Sequence, residues 1–144
     1  MNNPASLSND IVQQFINAVG SANVVIDEVA RKLLSTDLSF KPGEIADVVV
    51  SPADSKELSA CVTIAANAGM PVVARGGGMS YTQGYQPERP GSLLVDMLRM
   101  DEVLEINTED MYVTVQTGCT WKKLYEALLE HDVRTPYFGP LSGM

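Results

Sequence analysis

Three consecutive glycines follow directly after a short apolar run, and they constrain this chain more than any other feature. They lie in the sequence PVVARGGGMSYTQG, which covers residues 71–84. Glycine loses more conformational freedom on folding than any other residue, so three together indicate positive φ angles or a ligand pressed against the main chain. A tight turn between two sheet elements would use the same residues. We call residues 76–84 the glycine loop.

The residues before the glycine loop predict a strand, a helix and a second strand. Residues 48–50 are a β-branched run, 55–68 carry apolar side chains at helical spacing, and 71–74 are a second short strand. A crossover of this length makes the two strands parallel, and we expect them to be neighbours in the sheet. The glycine loop then lies beyond the carboxyl end of the second strand, where open α/β sheets bind ligands.

The glycine loop differs from the two best-known phosphate-binding motifs. Residues 81–90 contain Gly84, Pro87 and Pro90, so no helix begins after Gly78, as a dinucleotide fingerprint would require. A P-loop needs a lysine, and the loop has none. A nest of main-chain N–H groups, aided by the Ser80 hydroxyl, remains able to bind an anion such as a phosphate. An unrelated phosphate-binding α/β protein would use the same nest.

The other apolar patterns predict helices at the start and end of the chain and strands between them. The first helix, over residues 11–19, is expected to be capped by Asn9 and Asp10 and to end at Gly20. The remaining predicted elements are a helix over 26–34, a strand over 92–96, a hairpin of strands 102–106 and 112–116, and a helix from Thr120 to about His131.

These elements predict an α/β (α+β) fold of small mixed sheets flanked by helices in two lobes. We expect an N-terminal helical segment over residues 1–36, a first α/β lobe with the glycine loop over 37–90, and the start of a second α/β lobe over 91–144.

Composition excludes several classes of function. The 144 residues are 45% hydrophobic, which suits a globular domain, and the formal charge of −8 opposes binding to nucleic acid. Cys61 and Cys119 lack the spacing of a zinc site or a disulfide framework. The sequence shows no targeting signal and no apolar run long enough to span a membrane, so we expect a cytoplasmic protein.

Four segments together resemble a known family. They are residues 71–80, VDMLRM at 95–100, VQTGCTWKKL at 115–124 and TPYFGPLSG at 135–143. In this order they resemble the N-terminal part of the FAD-linked oxidases and dehydrogenases of the vanillyl-alcohol oxidase and p-cresol methylhydroxylase type, with a likeness from Asp37 to the last residue.

The resemblance implies that FAD binds here, with its pyrophosphate along the glycine loop. The implied cofactor-binding residues are Arg75, Gly76, Gly77, Gly78, Met79, Ser80, Gly84, Ser142 and Gly143. Gly84 would allow the loop to return, and Ser142 and Gly143 would begin a second flavin-binding segment. Considered alone, Arg75 could equally be solvated or paired with a nearby carboxylate.

Two departures from the family pattern limit what the resemblance implies. Some branches attach the flavin through a histidine where Met79 stands, and methionine cannot form that bond, so we expect non-covalent FAD at this position. Family members also continue into a substrate domain, so we expect this chain to be a fragment without a complete active site. No catalytic residue is assigned, and Asp96, Asp101 and His131 are interpreted as turn, cap and helix-end residues.

Two functions remain open on the sequence. One is FAD binding within an oxidoreductase that oxidises an alcohol, hydroxy acid or phenolic substrate by hydride transfer to flavin, with the small-molecule substrate bound only by a full-length parent. The other is a non-enzymatic module that binds a nucleotide or a partner protein. Exposed strand edges would also allow a homodimer.

Overall fold

The computed structural model describes residues 7–39, 41 and 43–137. The chain forms two compact units, residues 1–99 and 100–144. The division falls further along the chain than the expected lobe boundary after residue 90, because the strand that follows that boundary pairs within the sheet of the first unit.

The first unit contains a four-stranded sheet. Its strands are β1 (Val24–Val25), β2 (Val48–Val50), β3 (Val72–Arg75) and β4 (Leu93–Asp96), in the order β1-β2-β4-β3. β1 is antiparallel to β2, whereas β2 and β3 both run parallel to β4. The sequence did not predict β1, which has only two residues.

The expectation that β2 and β3 are neighbours is wrong, because β4 lies between them. Leu93 pairs with Val48 on one side and with Val72 on the other. All four residues of β4 are buried, as a central strand requires, while β3 alternates between exposed and half-buried residues, as an edge strand does.

Among the described residues, the first unit has three α-helices: α1 (Asn9–Val19), α2 (Glu28–Leu34) and α3 (Ser55–Asn67). The predicted cap of α1 at Asn9 and Asp10 is wrong, since the Ser8 side chain accepts the Ile11 N–H. α2 begins two residues later than predicted, because the Asp27 side chain caps it. The Asp54 side chain caps α3 by accepting the backbone N–H groups of Lys56 and Glu57.

The main core lies between the sheet and the helices α1 and α3. Phe15, Val48, Ala65 and Leu93 are fully buried in it. Cys61 also lies there. Burial, and to a lesser extent the nearby Glu57 charge, raises the pKa of its thiol to about 11. A smaller cluster of Ala46, Val49 and Leu94 covers the opposite face of the sheet.

The second unit contains a hairpin and a helix. β5 (Val103–Asn107) pairs antiparallel with β6 (Tyr112–Val115), which confirms the predicted hairpin, and α4 (Trp121–Leu129) is capped by the Thr120 side chain as predicted. Leu124 and Leu128 are buried, whereas Leu129 is 52% exposed. Among the residues that the model describes, no helix is long and apolar enough to cross a membrane.

Candidate functional site

The glycine loop begins at the carboxyl edge of the sheet in the first unit. β3 ends at Arg75, which pairs in register with Asp96 at the end of β4. Because β2, β3 and β4 are parallel, their carboxyl ends meet at this edge, which is the usual ligand site of such sheets. The loop therefore lies where the sequence predicted it, and no helix begins between β3 and β4.

The main chain of the loop presents unpaired N–H groups. Within the described ranges, the backbone N–H groups of residues 76–80 donate no hydrogen bond, whereas the carbonyls of Gly76, Gly78 and Ser80 accept bonds from protein donors. The first part of the loop thus has its carbonyls bonded to Arg75, Tyr85 and Leu38, whereas the N–H donors of residues 76–80 stay available. Successive free N–H groups attract anions, phosphate above all.

Gly78 is the glycine whose lack of a side chain the structure requires. Its φ is +77°, in the left-handed region that L-residues avoid, and a Cβ there would collide with the guanidinium of Arg75. Gly76 differs, since a Cβ at that position would meet no heavy atom within 4 Å. Gly77 is exposed and Met79 is half-buried.

Arg75 is mostly buried and only partly satisfied. Its Nη1 lies 3.9 Å from Asp96 Oδ1 and donates a long bond of 3.4 Å to the Gly76 carbonyl, and its guanidinium lies over the Tyr85 ring at 5.5 Å. Its Nε is buried and has no hydrogen-bond partner in the described part of the chain. A buried donor without an acceptor is costly, so an anionic ligand at this place would stabilise it.

Ser80 and Gly84 close the loop on itself. The Ser80 hydroxyl donates to Asp37 Oδ2 at 2.9 Å and accepts the N–H groups of Thr82 and Gly84. Its single hydrogen is therefore directed at Asp37, and the free donor of Ser80 is its backbone N–H. A Cβ at Gly84 would lie 3.2 Å from Ser80 Oγ, so a glycine there permits the close return of the chain.

Asp37 and Tyr85 support the loop, and the sequence did not single out either of them for the site. Asp37 lies between α2 and β2 and is only 4% exposed. The Tyr85 hydroxyl lies 3.0 Å from the Gly78 carbonyl oxygen and 3.1 Å from that of Thr36, and its one hydrogen is shared between these two acceptors. Tyr81, in contrast, is 73% exposed.

The other chemically interesting side chains have structural partners. The Asp96 carboxylate accepts the Leu98 N–H, and Asp101 forms an ion pair of 2.9 Å with Lys123, where its hydrogen bond raises the lysine pKa. Burial raises the pKa of the Cys119 thiol, which disfavours the reactive thiolate. No cluster of potential metal ligands occurs among the residues described. Ser142 and Gly143 lie outside the described residues.

Comparison with known proteins identifies the family. The family model described as "FAD binding domain" matches residues 46–143, and the chain therefore belongs to this family of FAD-binding domains.

Two curated relatives are similar to most of the chain. The chain is 30% identical to 1'-carboxy-chondrochloren decarboxylase of Chondromyces crocatus over 121 residues, 83% of this chain and 22% of that protein. It is also 30% identical to the glycolate oxidase subunit GlcD of Bacillus subtilis (strain 168) over 112 residues, 78% of this chain and 24% of that protein. The chain thus spans about a quarter of the length of these relatives.

A solved structure shows the same fold. The chain superimposes on p-cresol methylhydroxylase with a TM-score of 0.76 at 19% sequence identity, over 94% of this chain and 28% of that one. This likeness confirms the predicted α/β fold.

The geometry of the loop fits the pyrophosphate of FAD. Free main-chain donors at residues 76–80 lie beside the buried, unsatisfied Nε of Arg75, and Gly78 keeps the backbone bare between them. These donors have no acceptor in the described part of the chain, and the negatively charged oxygens of two phosphate groups would supply acceptors for them.

Proposed function

We propose that this chain binds FAD through the glycine loop, as the FAD-binding part of an FAD-dependent oxidoreductase. The observation that carries the proposal is the row of unpaired N–H groups at residues 76–80 next to the partly satisfied guanidinium of Arg75. Membership of the FAD-binding family supports the choice of FAD among phosphate-bearing ligands.

Each candidate residue has a defined role in this proposal. The backbone N–H groups of residues 76–80 donate to the pyrophosphate, and Arg75 supplies a positive charge beside it. Gly78 leaves room for Arg75, and Gly84 lets the loop return. Ser142 and Gly143 begin a second flavin-binding segment.

FAD is held without a covalent bond at this loop. The Met79 side chain is a thioether and has neither the ring nitrogen nor the thiol needed to attach a flavin. When bound, FAD supplies hydride acceptance, and the residues described here bind and orient it.

The full-length protein would oxidise an alcohol, hydroxy acid or phenolic substrate. The name of the glycolate oxidase relative supports a hydroxy acid, and that of the p-cresol methylhydroxylase neighbour supports a phenol. Substrate-binding residues would lie in parts of such a protein that this chain does not contain.

A homodimer through strand edges is a further part of the proposal. β3 is an edge of the described sheet, and Val72 and Ala74 are exposed along it. Unpaired edges favour pairing with another chain. Light scattering at increasing protein concentration would show a dimer that Val72→Lys weakens, whereas a monomer at every concentration would exclude it.

The test of FAD binding is a fluorescence titration of the purified chain with FAD, with ADP and FMN as competitors. Saturable binding that ADP displaces and FMN does not is the expected result, because ADP contains the adenine and the pyrophosphate. Absence of saturable binding in a chain that circular dichroism shows to be folded would contradict the proposal.

A further inference from the structure

The carboxylate of Asp37 receives four hydrogen bonds from the protein. Its Oδ1 accepts from the Ser39 N–H and from Gln86 Nε2, both at 2.9 Å. Its Oδ2 accepts from the Ser80 hydroxyl at 2.9 Å and from the Gln83 N–H at 2.6 Å. Three of the four donors come from residues 80–86, so a single buried side chain binds Ser80 and Gln83 of the glycine loop and Gln86 just beyond it.

The neighbours of Asp37 bind the same loop. The Leu38 N–H donates to the Ser80 carbonyl at 2.9 Å, and the Thr36 carbonyl accepts from the Tyr85 hydroxyl. Residues 36–38 therefore contact the loop through a carbonyl, a carboxylate and an N–H group. These contacts join parts of the chain that are 42 or more residues apart.

The bond to Gln83 holds an unfavourable backbone conformation. Gln83 has a φ of +63°, in the left-handed region that costs free energy for any residue other than glycine. Such a conformation persists only where its surroundings fix it. The short hydrogen bond from the Gln83 N–H to Asp37 helps to fix it here, together with the bond from the Gln86 N–H to the Gln83 carbonyl.

We propose that Asp37 is the positioning residue of the glycine loop, holding it in the conformation with free N–H groups before any ligand binds. Asp37 acts through Ser80 and Gln83 and does not itself touch the ligand, because both of its oxygens already accept protein donors. The identity of the ligand as a pyrophosphate rests on the proposed function. A loop that is already ordered avoids the entropy cost of ordering during binding.

The ionised state of Asp37 follows from the same contacts. Burial by itself raises the pKa of this carboxyl, but the hydrogen bonds from Ser39, Ser80 and Gln83 outweigh burial and lower the pKa to about 2. An ionised carboxylate accepts hydrogen bonds at both oxygens, whereas the amide of asparagine would turn two donors toward the same partners. Asp37→Asn is therefore a substitution of nearly equal size that replaces one acceptor oxygen, and with it the acceptor of two of the four hydrogen bonds, by a donor.

The experiment compares Asp37→Asn with the wild type and with Asp47→Asn. Asp47 lies in the same unit, is half-buried and accepts one hydrogen bond, from the Gly91 N–H, so it controls for loss of a carboxylate away from the glycine loop. Ser80→Ala is the second variant, for use if Asp37→Asn does not fold. Amide hydrogen exchange is measured on each chain without ligand, and binding of ADP and adenosine is then measured.

We expect Asp37→Asn to lose protection at the N–H groups of Gln83 and Gly84, with protection in α1 and α3 unchanged. We also expect its affinity for ADP to fall by about tenfold or more, while its affinity for adenosine, which lacks the pyrophosphate, is unchanged. Partial unfolding would weaken both ligands equally, so the difference between them separates positioning from a general structural role. Asp47→Asn should behave as the wild type does.

Two results would overturn the positioning role. One is unchanged protection of Gln83 and Gly84 in Asp37→Asn, and the other is an equal loss of affinity for ADP and adenosine. Hydrogen exchange at Gln83 and Gly84 tests the role of Asp37 without any ligand. A wild-type chain in which these two N–H groups are protected but which binds neither ADP nor FAD would instead contradict the proposed function.

Discussion

The guanidinium of Arg75 lies where a side chain at Gly78 would begin. A Cβ on Gly78 would collide with the Nη2 of Arg75, and the same glycine has a φ of +77°. The two residues therefore depend on each other: the glycine has no side chain to displace the buried guanidinium, and the guanidinium occupies the position that a side chain at residue 78 would take. This relationship brings a positive charge next to the free N–H groups of the loop.

Replacement of Gly78 by alanine should weaken FAD binding more than it weakens the fold. We expect a loss of unfolding free energy of about 1–2 kcal/mol from the left-handed φ, and a further loss of about tenfold in FAD affinity as Arg75 is displaced. Gly91→Ala is the matched control, because Gly91 has a φ of +80° and no atom within 4 Å of an added Cβ. Equal FAD affinities of the two variants would contradict a role for the Gly78 and Arg75 pair.

Gly77→Val should abolish FAD binding and leave the fold intact. Gly77 is exposed, and a branched side chain there would block the approach of a phosphate to the main chain. The readouts are flavin fluorescence for binding and circular dichroism for helix content. A variant that still binds FAD as tightly as the wild type would exclude the assigned pyrophosphate position.

Arg75→Lys should lower FAD affinity by about tenfold although it keeps the positive charge. Lysine lacks the planar fork of donors, including the Nε that is buried without a partner. Arg99→Lys serves as the control, since Arg99 pairs with Glu57 at 3.6 Å and takes no part in the loop. Isothermal titration calorimetry with FAD measures both variants, and an unchanged affinity in Arg75→Lys would refute a contact between Arg75 and the cofactor.

The contribution of Asp37 to stability should disappear in acid. Its pKa is about 2 in the folded chain and 3.8 for an unperturbed carboxyl, so the folded state favours the ionised form. The stabilisation is therefore complete above 3.8 and is lost as the pH falls from 3.8 toward 2. Urea unfolding across this range should show the wild type converging on Asp37→Asn as the pH falls, while a constant difference between them would contradict the lowered pKa.

The sequence predicted the glycine loop and its place because the signals are local. The apolar run before Gly76 predicts a strand, and the prolines after Gly78 exclude a helix, so both conclusions depend on residues close together in the chain. The same is true of the hairpin and of the Thr120 cap of α4. Side-chain periodicity, however, does not identify the partner of a strand, and the insertion of β4 between β2 and β3 was missed for that reason.

The support of the loop could not be predicted because it depends on distant contacts. Asp37 meets Ser80 and Gln83 across more than 40 residues, and nothing in the polar sequence around Asp37 distinguishes it from a solvated loop aspartate. The hydrogen of the Ser80 hydroxyl illustrates the same limit. The sequence suggested that it faces a phosphate, whereas the fold directs it to Asp37.

The most direct test of the central claim is an amide NMR titration of the ¹⁵N-labelled chain with ADP. The account predicts saturable shifts of the backbone N–H signals of residues 76–80, together with the side-chain Nε–H of Arg75, and much smaller changes in α1 and α3. Saturable binding with its largest shifts elsewhere, and with residues 76–80 unaffected, would show that the glycine loop is not the pyrophosphate site.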